Sequence, residues 1–271
     1  MIKDITIGQY IHGNSILHRM DPMLKLISIL MLIIVIFIGT NIINAVIVVL
    51  FTVILYLISG IPFRIALKNL KPIWPIIVLT AVLNVLFVSG GETLFVLFGK
   101  SITTKGLIYG AILALRLISL ILISSLLTYT TTPVKLTDAI ERLLSPLKKI
   151  NVPVSDFALM MSIALRFIPT LIEETDKIMS AQKSRGASLD SGKLPERIKA
   201  LVPVLIPLFV SSFRRADELA LAMECRCYNG GKGKTRMHPV RITALDIICF
   251  GCIILFCALI ICISTFSKAV I

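Results

Sequence analysis

The stretch "CRCYNGGKGKTR", residues 225–236, ends in Gly233-Lys234-Thr235, which is also how the phosphate-binding loop of many nucleotide hydrolases ends. That loop requires G-x-x-x-x-G-K-[ST] between a buried strand and a helix, so that backbone amides surround the phosphates. Here Tyr228 occupies the position of the first glycine, and the preceding segment has the periodicity of a helix. We therefore predict that this chain has no ATPase site.

The other residues that could do chemistry are six cysteines and three histidines. Four cysteines fall in one apolar run, where a thiol behaves as a small apolar group; they are Cys249, Cys252, Cys257 and Cys262. Cys225 and Cys227 stand apart from the histidines, which are His12, His18 and His238. Neither a zinc-ligand spacing nor a Ser/His/Asp set emerges. We predict no metal, no cofactor and no catalytic residue.

The composition indicates an integral membrane protein. Of 271 residues, 56% are hydrophobic and 16% are charged, and the mean hydropathy is +0.94; soluble domains have about half apolar and about a quarter charged residues. Five stretches approach the roughly 20 residues that a membrane-spanning helix needs. They are residues 24–38, 42–59, 72–88, 106–129 and 245–265. The predicted fold is therefore an all-α polytopic membrane protein with about five spans.

The positions of the charges predict the topology. The link after the second stretch carries Arg64, Lys68 and Lys71, and basic links face the cytoplasm. Alternation then predicts a cytoplasmic N-terminus and an external C-terminus. The chain has 28 Lys and Arg against 15 Asp and Glu, and we assign this excess of positive charge to cytoplasmic loops beside the lipid bilayer. We therefore predict the bilayer, and no nucleic acid, as a partner of the basic residues.

Most of the charge lies between the fourth and fifth stretches. Residues 131–241 contain 18 Lys and Arg and 11 Asp and Glu. They also contain an apolar stripe at helical spacing, formed by Phe157, Met160, Met161, Ala164, Phe167, Ile168, Leu171 and Ile172. We predict amphipathic cytosolic helices rather than further spans, because Arg166 would be costly at mid-bilayer. The predicted domains are a bundle at 1–130, a cytosolic domain at 131–241 and a last span at 242–271.

Two segments of this cytosolic part repeat each other. Asp, an aliphatic residue, Ala and Arg occur at identical offsets in "DKIMSAQKSRG" and "DELALAMECRC". The repeated arginines are Arg185 and Arg226, each at the predicted end of a helix. One such arginine is explained by helix capping, but two matched ends suggest two matched receptors. The nearby carboxylates Glu173, Glu174 and Asp176 are expected on a solvated helix face.

The segments "DPMLKL", "ALRFIPTLIEE" leading to "AQKSRG", and "ALAMECRCY" resemble the T component of energy-coupling-factor (ECF) transporters. The resemblance covers essentially the whole chain. It implies a non-catalytic scaffold of a vitamin or metal-ion importer in a bacterial or archaeal cell membrane. The implied partners are two ABC-type ATPases, which hydrolyse the ATP, and a small membrane S component, which binds the substrate.

The most specific part of this resemblance is a pair of three-residue motifs with a central arginine. In the family, each motif ends a cytosolic coupling helix and docks into one ATPase. The matching residues are Ser184, Arg185 and Gly186, and Cys225, Arg226 and Cys227. The second motif departs from the common Ala-Arg-Gly, so Tyr228 with Asn229-Gly230-Gly231 is expected to supply the helix stop.

Arg116 lies near the middle of the fourth stretch, where a charge is a candidate functional residue. The sequence leaves open whether it is a structural tie or a contact with a partner protein. A charge at this depth pairs with a carbonyl, an amide or an acid, and Asn84 is one candidate neighbour. On the same stretch, Gly106 and Gly110 form a G-x-x-x-G step that permits close helix packing. The alternative function is a self-sufficient secondary transporter, which would carry its substrate site near the bilayer midplane.

Overall fold

A computed structural model describes residues 10–39, 41–88, 90, 93–97, 100–187, 194–230 and 242–270. Helices dominate these residues, which confirms the predicted all-α class. In chain order the helices are α1 Ile16–Arg19, α2 Pro22–Ile38, α3 Ile42–Ser59, α4 Phe63–Leu70, α5 Trp74–Phe87, α6 Thr104–Thr130, α7 Pro133–Leu143, α8 Val154–Ser184, α9 Leu194–Cys225 and α10 Ala244–Val270. A 3₁₀ helix, Ser145–Ile150, precedes α8. One antiparallel hairpin, β1 Thr93–Leu97 and β2 Lys100–Thr103, lies in the connection between α5 and α6.

The contacts divide the chain into two compact units. We call Gly8–Ala139 with Pro239–Ile271 the bundle unit, and Ile140–His238 the arm unit. The arm unit contains α8 and α9, and the bundle unit contains α1–α6, most of α7 and α10. The predicted domain limits, by comparison, lie between residues 130 and 131 and between 241 and 242.

The helices that could cross a membrane agree in part with the predicted spans. By length and composition, α3, α6, α8 and the Ala244–Phe266 part of α10 qualify, and α4 with α5 qualifies as a pair bent by 62°. The first predicted span is α2, whose 17 residues extend about 26 Å. The third predicted span is α5, shorter than expected. The composition of α8 also permits a span, although the sequence predicts that this helix lies outside the bilayer.

The core of the bundle unit lies among α2, α3, α6 and α10. The Tyr56 hydroxyl donates to the Leu122 carbonyl at 3.0 Å, which joins α3 to α6. The Phe51 and Phe256 rings stack with centroids 3.7 Å apart, which joins α3 to α10. Apolar side chains also cover the outside, as at Leu57. A helix that is apolar on both its inner and outer faces is typical of a protein solvated by lipid.

Three helix ends meet at a buried polar cluster, which we call the helix-end junction and which comprises Asp21, Lys25, Thr130, Thr131 and Asp246. Lys25 is 3% exposed, and its Nζ donates to the Thr130 carbonyl at 3.2 Å and to Thr131 Oγ1 at 3.0 Å. The end of α6 is the negative end of its dipole, so a buried ammonium is favourable there. The "DPMLKL" motif thus joins α2 to α6.

The acidic half of the junction joins α2 to α10. Asp21 caps α2 by accepting from the Met23 amide at 2.7 Å, and its own amide donates to Asp246 Oδ1 at 2.9 Å. Asp246 Oδ2 also accepts from the Thr243 amide at 2.8 Å, which is half of a capping box at the start of α10. One carboxylate therefore accepts from the amides of the residues that precede two helices.

The Gly106 and Gly110 step faces α5. A Cβ placed on Gly106 would lie 2.9 Å from the Val88 carbonyl oxygen, and one on Gly110 would lie 3.1 Å from the Ala81 carbonyl oxygen. Both neighbours are backbone atoms that cannot rotate away. The two glycines therefore permit close packing of α6 on α5.

We expect Gly106→Ala to destabilise the bundle unit by about 1–3 kcal/mol, because the new methyl group overlaps the Val88 carbonyl. The thermal unfolding midpoint of the full chain in detergent measures this effect. Gly251→Ala on α10 is the matched control, since its Cβ would meet no atom within 4 Å. Equal midpoints for the two variants would contradict the assigned packing.

Candidate functional site

The first arginine motif forms the end of α8. Arg185 follows the last helical residue, and Gly186 has a φ of +87°, in the left-handed region. The Gly186 amide donates to the Lys183 carbonyl at 3.0 Å, and the Ala187 amide donates to the Gln182 carbonyl at 3.0 Å. These two bonds define a Schellman motif, in which glycine is the favoured residue at the left-handed position.

The second arginine motif forms the end of α9 with the same hydrogen bonds. The Cys227 amide donates to the Glu224 carbonyl at 2.8 Å, and the Tyr228 amide donates to the Met223 carbonyl at 3.0 Å. Cys227 takes the left-handed position with a φ of +55°. The helix stop that the sequence assigned to Tyr228 and the residues after it therefore begins one residue earlier, at a non-glycine position that carries conformational strain.

The arginine side chains at both ends are exposed. Within the part of the chain that the structure describes, neither guanidinium has a hydrogen-bond or ion-pair partner. The Schellman bonds satisfy the terminal carbonyls without help from the side chains, so capping does not occupy either arginine. A guanidinium has five donors in one plane, a geometry that suits a carboxylate or carbonyl group.

An ion pair joins α8 to α9 within the arm unit. Arg215 Nη2 lies 2.5 Å from Glu174 Oε2, and the Ser211 hydroxyl donates to Glu174 Oε1. The side chains of Glu174 and Arg215 are 21% and 35% exposed. The expectation of a solvated face is therefore wrong for Glu174, because its two oxygens face α9; it holds for Glu173, which is exposed.

A second contact between these helices follows from a proline. Pro207 lies inside α9 and has no amide hydrogen, so the carbonyl four residues earlier, that of Pro203, lacks its helical donor. Gln182 Nε2 of α8 donates to that carbonyl at 3.3 Å. Glu174 contacts Ser211 and Arg215, whereas Gln182, eight residues later in α8, contacts Pro203, which is earlier in α9. The two helices therefore run antiparallel and carry their arginines at opposite ends of the pair.

Glu174 and Arg215 occupy equivalent positions of the internal repeat. They are 41 residues apart, as are Arg185 and Arg226. Each partner of the ion pair lies eleven residues before the arginine of its own helix. This contact was not among the predictions, although the repeat aligns a glutamate with an arginine, which indicates that the two helices pair through this position.

Arg116 contacts the end of α2. Its Nη2 donates to the Gly39 carbonyl at 2.6 Å, and its Cζ lies 5.7 Å from the centroid of the Phe37 ring. The expected neighbour Asn84 instead donates to the Thr80 carbonyl of its own helix at 2.9 Å. Of the partners that the sequence allowed, Arg116 thus has a carbonyl and not the candidate Asn84, and the geometry is that of a cation at the negative end of a helix dipole.

The glycine- and lysine-containing stretch Gly233-Lys234-Thr235 lies outside the described residues, as does His238. Across the described ranges, no three His, Cys, Asp or Glu side chains are placed to hold a metal ion. Cys225 and Cys227 are exposed free thiols on either side of Arg226.

Comparison with known proteins gives consistent matches. The family model described as CbiQ, cobalt transport protein, matches residues 13–238. A protein of Ruminiclostridium cellulolyticum is 52% identical over 257 residues, which cover 94% of this chain and 96% of that protein. The chain is 50% identical over 270 residues to a Clostridium kluyveri protein, covering 99% and 98% of the two chains. It is 46% identical over 246 residues to one of Bacillus subtilis, covering 91% and 93%. Each of the three is named energy-coupling factor transporter transmembrane protein EcfT.

We expect Cys227→Gly to stabilise the last turn of α9 by about 1 kcal/mol, because glycine adopts a positive φ without the Cβ penalty. Hydrogen exchange of the Tyr228 amide should slow about fivefold. Gly186→Ala should have the opposite effect on the Ala187 amide. Cys225→Ala, at the last helical residue, is the control; a change as large as that of Cys227→Gly would refute the assigned strain.

Replacing Arg116 by methionine should lower the free energy of unfolding by about 1–3 kcal/mol, because the Gly39 carbonyl loses its donor. The thermal unfolding midpoint of the purified chain measures this loss. An unchanged midpoint, together with loss of a bound membrane protein on purification, would instead identify Arg116 as a contact with a partner.

Proposed function

The chain belongs to the CbiQ family of cobalt transport proteins, and on that premise we propose that it is the transmembrane scaffold of an ECF-type vitamin or metal-ion importer. The resemblance inferred from the sequence motifs is confirmed by relatives named EcfT that align with nearly the whole chain. The scaffold transmits ATP-driven motion of two ABC-type ATPases to a membrane S component that binds the substrate. ATP hydrolysis belongs to the partner subunits.

The observation that carries this proposal is the pair of matched helix ends. Two long antiparallel helices end in the same Schellman motif, and each presents an exposed arginine that no group among the described residues engages. Arginine forms several charge-assisted hydrogen bonds in one plane, which suits a joint that must bear force. Two equivalent ends at opposite extremes of one helix pair fit two equivalent receptors, as two copies of an ATPase fold would provide.

We assign α8 and α9 to the cytosolic side of the membrane. The first half of α8 has Asp156 and Arg166 exposed among apolar residues, and both charges would be costly within hydrocarbon. Much of the apolar surface of the arm unit is exposed as well, including Phe157, Met160 and Phe209. Long helices with exposed apolar and charged residues are suited to the membrane surface and to the underside of a membrane partner.

The same assignment gives the topology. The exposed α4 carries Arg64 and Lys68 and is placed on the cytoplasmic side by the positive-inside rule. With α2, α3, α5, α6 and α10 as spans in the cell membrane, the N-terminus is cytoplasmic and the C-terminus is external. ATP-driven closure of the ATPase pair then displaces Arg185 and Arg226 relative to each other. The displacement reshapes the surface on which the S component rests.

The proposal predicts that Arg185→Glu with Arg226→Glu abolishes binding of the ATPases. Each single variant should retain part of the complex, because one end remains docked, so the double loss should exceed the sum of the single losses. The measurement is the recovery of ATPase subunits with the tagged chain after gentle extraction from its native membrane, quantified by mass spectrometry.

Lys177→Glu with Arg214→Glu is the matched control, since it reverses one exposed cation on each of the same two helices away from the ends. This control should recover the ATPases as the parent does. Recovery of the parent chain without any ATPase, or substrate uptake by the purified single chain in liposomes under an ion gradient, would contradict the proposal and support the secondary transporter.

A further inference from the structure

We propose that the ion pair between Glu174 and Arg215 is the pivot of the α8–α9 pair, the contact about which the two helices change their crossing angle when Arg185 and Arg226 are displaced. These two residues are positioning residues. The proposal deepens the proposed function, on which it rests for the force applied to the two ends.

The position of the ion pair along the helices is the first argument. Each partner precedes the arginine of its helix by eleven residues, so about 16 Å of helix separates the ion pair from either arginine. Because the helices are antiparallel, these two helix segments extend from the ion pair in opposite directions. Because the ion pair is equally far along the chain from both arginines, rotation of the helices about it displaces both ends by similar amounts.

The chemistry of the contact is the second argument. Both carboxylate oxygens of Glu174 are used, one by Arg215 at 2.5 Å and the other by Ser211. Exposed ion pairs contribute little because water competes for both partners. Here the carboxylate side chain is only 21% exposed, so breaking the pair would leave a partly desolvated charge. Two bonds to one carboxylate also fix its direction, as a pivot requires.

The neighbouring prolines are the third argument. Pro169 precedes Glu174 by five residues in α8, and Pro207 precedes Ser211 by four residues in α9. Pro169 removes a helical hydrogen bond about one turn before Glu174, and Pro207 removes one about two turns before Arg215; such sites are where helices bend. The Gln182 bond to the Pro203 carbonyl lies on one side of the ion pair only. A change in the crossing angle about the closed ion pair would lengthen this neutral hydrogen bond, which is 3.3 Å long.

The test measures the distance between spin labels on the two helices in the full chain. Labels are placed at Ser180→Cys and Leu221→Cys, which are exposed, equivalent in the repeat and outside both arginine motifs. In this background Cys227 is replaced by glycine and the other five cysteines by alanine. The parent should give one narrow distance peak, and in the complex with its two ATPases this peak should shift when Mg²⁺ and ATP are added.

In Glu174→Gln we expect loss of the single narrow peak and loss of the ATP-dependent shift, with ATPase recovery unchanged because both arginine ends are intact. The exchanged pair, Glu174→Arg with Arg215→Glu, should restore the peak and the shift, which a general weakening of the fold would not do. Glu173→Gln is the control, because this neighbouring carboxylate is exposed and should behave as the parent.

A narrow peak and an intact shift in Glu174→Gln would overturn the pivot, as would failure of the exchanged pair to restore them. Failure of the proposed function is a separate result. If the parent chain recovers no ATPases, the width of the distance distribution in the isolated chain still decides whether this ion pair fixes the two helix ends.

Discussion

The first amides and the last carbonyls of a helix have no partner within that helix, and where they are buried other groups must satisfy them. The bundle unit meets this constraint with side chains of neighbouring helices. Lys25 of α2 donates to the end of α6, and Arg116 of α6 donates to the end of α2. Asp246 of α10 accepts hydrogen bonds from the Asp21 amide, just before α2, and from the Thr243 amide, just before its own helix. The helices therefore supply one another's terminal partners. The charged side chains of the bundle unit's junction are consequently structural, although charges in such places are functional candidates by default.

The arm unit solves the same problem in the opposite way. Both α8 and α9 satisfy their terminal carbonyls with their own backbone amides, through Schellman motifs. The arginine that follows each helix is then not needed as a cap. This difference explains why Arg116 is held within the chain, whereas Arg185 and Arg226 are exposed and available to another molecule. This way of ending a helix requires a left-handed residue, and at the end of α9 that residue is Cys227, whose Cβ makes the conformation less favourable than it is for Gly186 in α8.

The pairing of α8 with α9 connects these ends to each other. Two polar groups make the contact between them. One is the Glu174 carboxylate, whose two oxygens both have partners on α9, and the other is the Pro203 carbonyl, which lacks a helical donor because residue 207 is a proline. Apolar packing alone would allow two such helices to slide, because the hydrophobic effect has no direction. Directional bonds at two places set the register. The large apolar area that remains exposed on both helices is then available to lipid or to a membrane partner.

Features that depend on local composition and spacing were predictable from the amino-acid sequence. Apolar runs predicted the all-α class and most of the spans, the missing glycine at Tyr228 argued against a nucleotide site, and the repeat with its family motifs identified both arginine ends. Features that depend on which helices are neighbours required the folded chain. There Arg116 contacts Gly39 and not the candidate Asn84, and Glu174 pairs with Arg215 instead of facing solvent. The predicted basic link before the third span is itself helical, as α4, and meets α5 at a bend of 62°. The physical reason is that periodicity reports which face of a helix is apolar, whereas a buried charge finds its partner on another helix, at a distance along the chain that no local pattern encodes.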